Sequence, residues 1–292
     1  MKQRGFLVPA GERVRLKNYD PAFTGKFQSE AEAEAKIRED CDSLAKYQDK
    51  LLAEERQSLL LIFQAMDGAG KDGTIKHVMS SVDPQGCKVM LSEKPGAREL
   101  KHDYLWRFVR HLPKRGQIGI FNRSYYEEVL STRIHPERLE DQQLPPRLRD
   151  APGIWRQRFA QINNFEQYLT ENGIHVMKFF LHLSKEKQRE RLLERLDVPE
   201  KKWKFSMNDV TERGRWDEYM RAFEDAITRT SKRDAPWYIV PADHRWFSAH
   251  VVAELVVAKL KSLNLRYPQI AGEDKKEMEK ARKLLVGDGE KS

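Results

Sequence analysis

Hydrophobic residues are spaced along this chain in two alternating ways. Compact apolar runs at residues 59–63, 87–91, 116–121, 174–183 and 237–240 have the length and continuity of strands covered on both faces, as in a parallel sheet. Between them, apolar residues recur at helical spacing over 74–81, 98–111, 155–169, 184–196, 209–230 and 247–263. Ahead of the first strand, Ser29 and Glu32 form a capping-box pair, and Ile37, Cys41, Leu44, Leu51 and Leu52 continue one helical face to about Glu55. This long amphipathic helix is expected to pack on the sheet or on a second subunit. The alternation predicts an α/β fold, with five parallel strands and helices on both faces.

The ends of the chain read differently. Residues 1–28, with Pro9, Gly11, Pro21 and Gly25 among scattered charges, are expected to form an irregular arm on the surface of a domain spanning 29–263. Residues 135–153, with Pro136, Pro145, Pro146 and Pro152, read as a connection that wraps rather than packs. The tail, 264–292, is dominated by charge from Arg266 onwards and is expected to fray.

Charge narrows the partners. Fifty-three Lys and Arg against 45 Asp and Glu leave a formal charge of +8 over 292 residues, which favours anionic partners. Charged residues make up 34% of the chain and no stretch is apolar enough to span a membrane, so no membrane partner is expected. The N-terminus lacks a continuous hydrophobic stretch, so it does not read as a secretory signal. Cys41 and Cys87 offer neither a disulfide framework nor zinc spacing, and cytoplasmic residence with free thiols is the expectation.

The first strand stops abruptly in Ala65-Met-Asp-Gly-Ala-Gly-Lys71-Asp-Gly-Thr74. A strand, a glycine loop and a helix start form a phosphate cradle, because backbone N–H groups and the helix dipole face the anion while a lysine adds full charge. Gly68, Ala69, Gly70, Asp72, Gly73 and Thr74 are therefore candidate phosphate- or nucleotide-binding residues, with Lys71 on the transferred group and Asp67 or Asp72 near magnesium. The match to G-x-x-x-x-G-K-[ST] is imperfect: Ala65 replaces the first glycine, Asp72 replaces Ser or Thr, and Thr74 comes two places late. The alternative is an ordinary strand-to-helix turn.

Two further places carry candidate chemistry. The third strand delivers Asn122 and Arg123, where an arginine fork can grip two phosphate oxygens; the alternative is a structural pair with Glu127 or Glu128. Arg133 is a further candidate of the same kind. The segment 185–215 holds ten Lys or Arg and seven Asp or Glu, and its Lys185, Arg189, Arg191, Lys201, Lys202 and Lys204 read as a phosphate-facing lid or, alternatively, a solvated charged helix. Lys94 in a Lys-Pro-Gly turn, with His102, Asp103 and Arg107 on a shared helix, could floor a nucleotide pocket. His175 and His182 read as structural, and the eight histidines never fall at metal-site spacing.

Taken together, FQAMDGAGKDGTIKHV from Phe63, DPQG from Asp83, HDYLWR from His102, IFNRSYYEEVL from Ile120, LDVPEKKWKFS from Leu196 and APWYIVPADHRWF from Ala235 resemble the type 2 polyphosphate kinase family over residues 5–262. The resemblance implies a three-layer α/β/α P-loop kinase fold of the thymidylate-kinase kind with a helical lid. It also implies a reversible enzyme that moves the terminal phosphoryl of inorganic polyphosphate to a nucleotide with Mg2+, for which Mn2+ can substitute. On this resemblance the Walker A residues are Asp67, Gly70 and Lys71, and the Walker B pair is Asn122 and Arg123. Metal would be held at Asp67, with Asn122 or Glu128 as further ligand candidates.

Many members have aspartate where this chain has Asn122. The FNRSYYE form resembles the branch accepting both AMP and ADP, giving ADP and ATP, with GMP and GDP as further candidates. The basic segment 185–215 would hold the polyphosphate chain. Relatives of this family are commonly homo-oligomers. Rival readings are an ATP-dependent nucleoside monophosphate kinase and a protein binding nucleic-acid backbones; evident aromatic stacking platforms are missing for the latter, and nucleic acid is not an expected partner.

Overall fold

A computed structural model describes residues 5–289, so residues 1–4 of the N-terminal arm and 290–292 of the tail lie outside the described residues. Its strands are β1 (Leu7–Val8), β2 (Ser58–Gln64), β3 (Cys87–Leu91), β4 (Ile118–Asn122), β5 (Ile174–His182) and β6 (Trp237–Pro241). They form one sheet in the order β1-β6-β5-β2-β4-β3, and all neighbours are parallel except β1 on β6. Every residue of β2 is buried, which is why its run is unbroken hydrocarbon rather than alternating.

The longer helices are α1 (Glu30–Glu54), α2 (Lys71–Val78), α3 (Ile154–Glu171), α4 (Lys185–Asp197), α5 (Met207–Arg213), α6 (Trp216–Thr230), α7 (Arg245–Ser262) and α8 (Glu273–Gly289). One sheet face packs against α1, α2 and α7 through Leu44, Leu51, Ile75, Val251 and Leu255, and the other against α3 and α6 through Phe159, Ile162, Phe223 and Ile227. The result is the three-layer α/β/α arrangement. No described helix is long and apolar enough to cross a membrane.

Several expectations need correction. The sheet has six strands among the described residues, not five, because Leu7 and Val8 pair antiparallel with Tyr238 and Trp237. The arm is thus no mere surface strap: Phe6, Val8, Val14 and Leu16 are buried. The 98–111 helix is broken into a turn at Glu99–Lys101 and one helical turn at Trp106–Val109, because His102 is extended and Asp103 Oδ1 accepts the Leu105 N–H at 3.0 Å. The 209–230 helix is two helices, parted where Gly214 and Arg215 form tight turns and the Arg215 guanidinium donates to the Ile134 carbonyl at 2.7 Å. The 135–153 connection holds helical turns at Arg138–Asp141 and Pro146–Arg149 and buries Leu139.

Within the tail, Glu273–Gly289 form α8, exposed at all its described side chains, with Glu279 and Lys283 at the i, i+4 spacing that supports an isolated helix. At the other end, Ser29 caps α1 as its spacing predicts, accepting the Glu32 N–H at 3.4 Å, but Glu32 reaches back to the N–H of Gln28 at 2.9 Å. With Ile37 and Leu44 turned inward, the apolar face of α1 is used within the chain.

Candidate active site

The C-terminal ends of β2, β4, β5 and β6 converge on the glycine loop at 65–70. Phe63 pairs in register with Asn122 on β4 and Phe179 on β5, so Arg123, which follows β4, stands beside the loop that follows β2. Gly68 (φ +85°) and Gly70 (φ +95°) take the left-handed backbone that turns β2 into α2. Lys71, the first residue of α2, is buried, and its ammonium donates to the carbonyls of Ala65 at 3.2 Å and Met66 at 3.4 Å. It also stands 3.8 Å from Asp67 Oδ1. Burial, only partly opposed by Asp67, lowers the Lys71 pKa.

Arg123 follows β4 with φ +61°, unusual for a residue bearing Cβ. Its N–H donates to Phe63 O at 3.0 Å and its guanidinium is hydrogen-bonded to Asp67, rather than pairing with Glu127 or Glu128 in the way the alternative reading held. Burial works to raise the Asp67 pKa, but the charges of Lys71 and Arg123 outweigh it and hold the carboxyl below the usual carboxylate range. Half-buried Glu127 goes the other way: burial raises its pKa, against the pull of Arg123 and Lys71. The Gln64 carboxamide, turned so that both its ends are satisfied, donates to Glu127 Oε1 at 3.0 Å and accepts from Ser124 N–H and Oγ at 3.1 Å.

Asn122 Nδ2 donates to Asp72 Oδ1 at 2.6 Å, leaving Asn122 Oδ1 buried without a partner. Glu128 is already engaged, ion-paired with Arg158, whose Nε lies 3.0 Å away, and accepting from Gln142 Nε2 at 3.0 and 2.8 Å, and burial raises its pKa. Among the described residues, no three His, Cys, Asp or Glu side chains converge as a metal cage.

A cleft of about 420 Å³ opens on one side of the loop, with Ala65, Met66, Asp67 and Arg123 at its floor. Lys94, His102, Asp103 and Arg107 all line it, although they sit in a broken loop rather than on one helix. Arg107 Nε lies 3.4 Å from Glu99, and His102 stacks on Trp106 with ring centroids 3.8 Å apart. Arg133 is not brought to the cleft; it pairs with Asp225 at 2.6 Å.

The segment 185–215 backs the loop from the other side. Gln188 Nε2 donates to Asp67 O at 2.9 Å, and Arg191 donates to the carbonyls of Gly68 (2.9 Å), Ala69 (3.0 Å), Ala242 (2.8 Å) and Asp243 (2.9 Å). Burial, followed by the neighbouring Arg245 charge, depresses the Arg191 pKa to about 10. Arg191 is therefore a brace between the loop and β6, whereas Arg189, Lys202 and Lys204 are exposed. Lys201 pairs with Glu194, Lys185 lends its carbonyl to Arg213 at 2.6 Å, and Lys204 lies over the exposed Trp203 ring at 5.0 Å.

Sequence reading missed Gln64 and Gln188. Neutral amides carry no charge signal, and their partners are set only by the fold. A buried cluster around Lys178 of β5 was missed as well: Glu166 accepts from Lys178 (2.5 Å), Tyr125 (2.9 Å) and Tyr126 (2.8 Å), anchoring the turn that carries Arg123. A lysine inside the apolar run 174–183 was its available signal.

A parallel α/β sheet, a glycine loop at the end of a central strand and a cation pair beside an open cleft define a P-loop kinase fold. A family model described as polyphosphate kinase 2 (PPK2) matches residues 27–268. The ADP-polyphosphate phosphotransferase of Rhodopseudomonas palustris is 44% identical over 286 residues, covering 98% of this chain and 99% of its own. The AMP/ADP-polyphosphate phosphotransferase of Meiothermus ruber is 42% identical over 268 residues, covering 90% and 95%. Among solved structures, polyphosphate kinase 2 from Arthrobacter aurescens superposes with a TM-score of 0.86 at 36% identity, covering 97% of this chain and 95% of that one. The chain belongs to the polyphosphate kinase 2 family.

Proposed function

We propose that this protein transfers the terminal phosphoryl of inorganic polyphosphate to AMP and ADP. The observation that carries the reading is the convergence of Lys71, Arg123 and Asp67 where the glycine loop meets the cleft, in a chain 44% and 42% identical to phosphotransferases named for ADP and for AMP and ADP. Phosphoryl transfer asks a protein mainly to position the reactants and neutralise charge. The nucleotide phosphate is already anionic, so its oxygen attacks the end phosphorus in line without a general base. Lys71 and Arg123 exchange carbonyl and carboxylate partners for phosphate oxygens and stabilise the transferring group. Segment 185–215 acts as the lid, holding the donor chain and excluding water.

The donor set fits Mg2+ held largely by phosphate oxygens. Asp67 offers a carboxylate and Asn122 a buried Oδ1 without a partner, whereas Glu128 is occupied by Arg158 and Gln142. Bound there, the ion would neutralise phosphate charge and fix the geometry of attack.

Acceptor choice is tested by giving purified protein AMP, ADP, GMP or GDP with polyphosphate and Mg2+ and separating the products by chromatography. Formation of ADP from AMP and ATP from ADP is expected. Phosphorylation of diphosphates alone would overturn the dual-acceptor reading.

A further inference from the structure

In-line transfer places the attacking and leaving oxygens on opposite sides of the transferred phosphorus. Here the cleft meets the loop at Ala65, Met66 and Asp67, while Gly68, Ala69 and Gly70 lie outside its lining and are backed by α4 and the start of α7. With the acceptor in the cleft, the leaving chain departs over Gly70. Two side chains are met there: a Cβ built on Gly70 would lie 3.7 Å from Arg191 Nη1, 3.7 Å from Arg245 Cγ and 4.0 Å from Arg245 Nε.

Arg245 differs from the neighbouring Arg191. Arg191 is buried and its donors are spent on four carbonyls, whereas the Arg245 side chain is 55% exposed and lies 3.6 Å from Glu194 Oε2. Glu194 also pairs with Lys201, so one carboxylate bridges a cation beside the loop and a cation of the segment 185–215. Bridging of cations along a line is what successive phosphates of a polyanion would do.

Resting on polyphosphate as the donor, we propose that Arg245 contacts the chain where it leaves the glycine loop, and that Glu194 occupies this place as a carboxylate stand-in which the polyanion displaces. Arg245 and Lys201 then form a continuous donor-side path away from the cleft.

The test uses the full chain with ADP and varied polyphosphate, comparing Arg245→Gln with Glu194→Gln. Losing a charged hydrogen-bond donor to phosphate raises the KM for polyphosphate about tenfold in Arg245→Gln. Removing the competing carboxylate lowers it about twofold to threefold in Glu194→Gln. The KM for ADP stays within about twofold in both, since neither residue lines the cleft. A merely structural contact predicts shifts in the same direction, because each variant loses the same pair. Shifts of the same sign, or an unchanged KM for polyphosphate in Arg245→Gln, would overturn the inference alone. Wild-type protein that makes no ATP from ADP and polyphosphate would bring down the functional reading and this inference with it.

Discussion

Cations around the glycine loop are held in opposite ways on its inner and outer sides. On the inner side Lys71, Arg123 and Arg191 hold loop carbonyls or Asp67, and their charge serves first to shape the loop. On the outer side Arg189, Lys202 and Lys204 are exposed, and Lys204 lies over a Trp203 that is itself 78% exposed. Two electrostatic regimes follow. Buried charge is weakly screened and punishes the loss of a partner, while exposed charge is screened by salt and contributes little to stability. Net charge favours anionic partners, whereas contacts decide which cations are free to meet one.

The contrast is sharpest at Lys178, fully buried in the middle of β5 with Glu166 as its partner. Lys178→Met leaves that carboxylate buried without its counter-charge, and a loss of about 3–5 kcal/mol is expected in urea unfolding. Adding Glu166→Gln recovers part of it. Equal stability of Lys178→Met and wild type would break the distinction between the two regimes.

Lys71→Ala removes the cation at the transferring group. A fall in kcat of about 10²- to 10³-fold is expected, with an unchanged circular dichroism spectrum. Near-normal turnover would place the chemistry elsewhere.

Asp67 gives the contrast a pH dependence. Its folded-state pKa lies below the usual value, so the folded protein binds fewer protons there than the unfolded chain. The stability it contributes is complete above the ordinary carboxylate pKa of about 3.9 and is lost as pH falls through the lower folded value. Asp67→Asn should have the lower Tm at pH 7, and its gap to wild type should narrow below about pH 4 in calorimetry. A gap that widens there contradicts the inner-side pairing.

The smallest effect belongs to the outer side. Lys202→Ala with Lys204→Ala is expected to raise the KM for polyphosphate by about threefold at low salt and less at high salt, with stability within about 0.5 kcal/mol of wild type.

The glycine loop was legible because its signal is contiguous: hydrocarbon, glycines and Lys71 follow one another, and Asn122-Arg123 end a recognisable strand. What escaped depends on partners far away in the chain. Gln188 grips Asp67 O across 121 positions, and Arg191 is read as a lid cation until its carbonyl partners are known. β1 is only two residues long, too short to show a period, and its pairing with β6 joins opposite ends of the chain. The breaks at His102–Leu105 and Gly214–Arg215 were hidden because apolar spacing continues across them while local hydrogen bonds stop the helix.

The central claim is that polyphosphate is the donor and a nucleotide phosphate the acceptor. Its most direct test incubates purified protein with ADP, long-chain polyphosphate and Mg2+, with no other nucleotide, and follows ATP by chromatography and chain ends by phosphorus NMR. ATP should accumulate while the polyphosphate chains shorten. Absence of ATP there, with ADP formed instead from ATP and AMP by the same protein, would contradict the claim and identify a nucleotide-donor kinase.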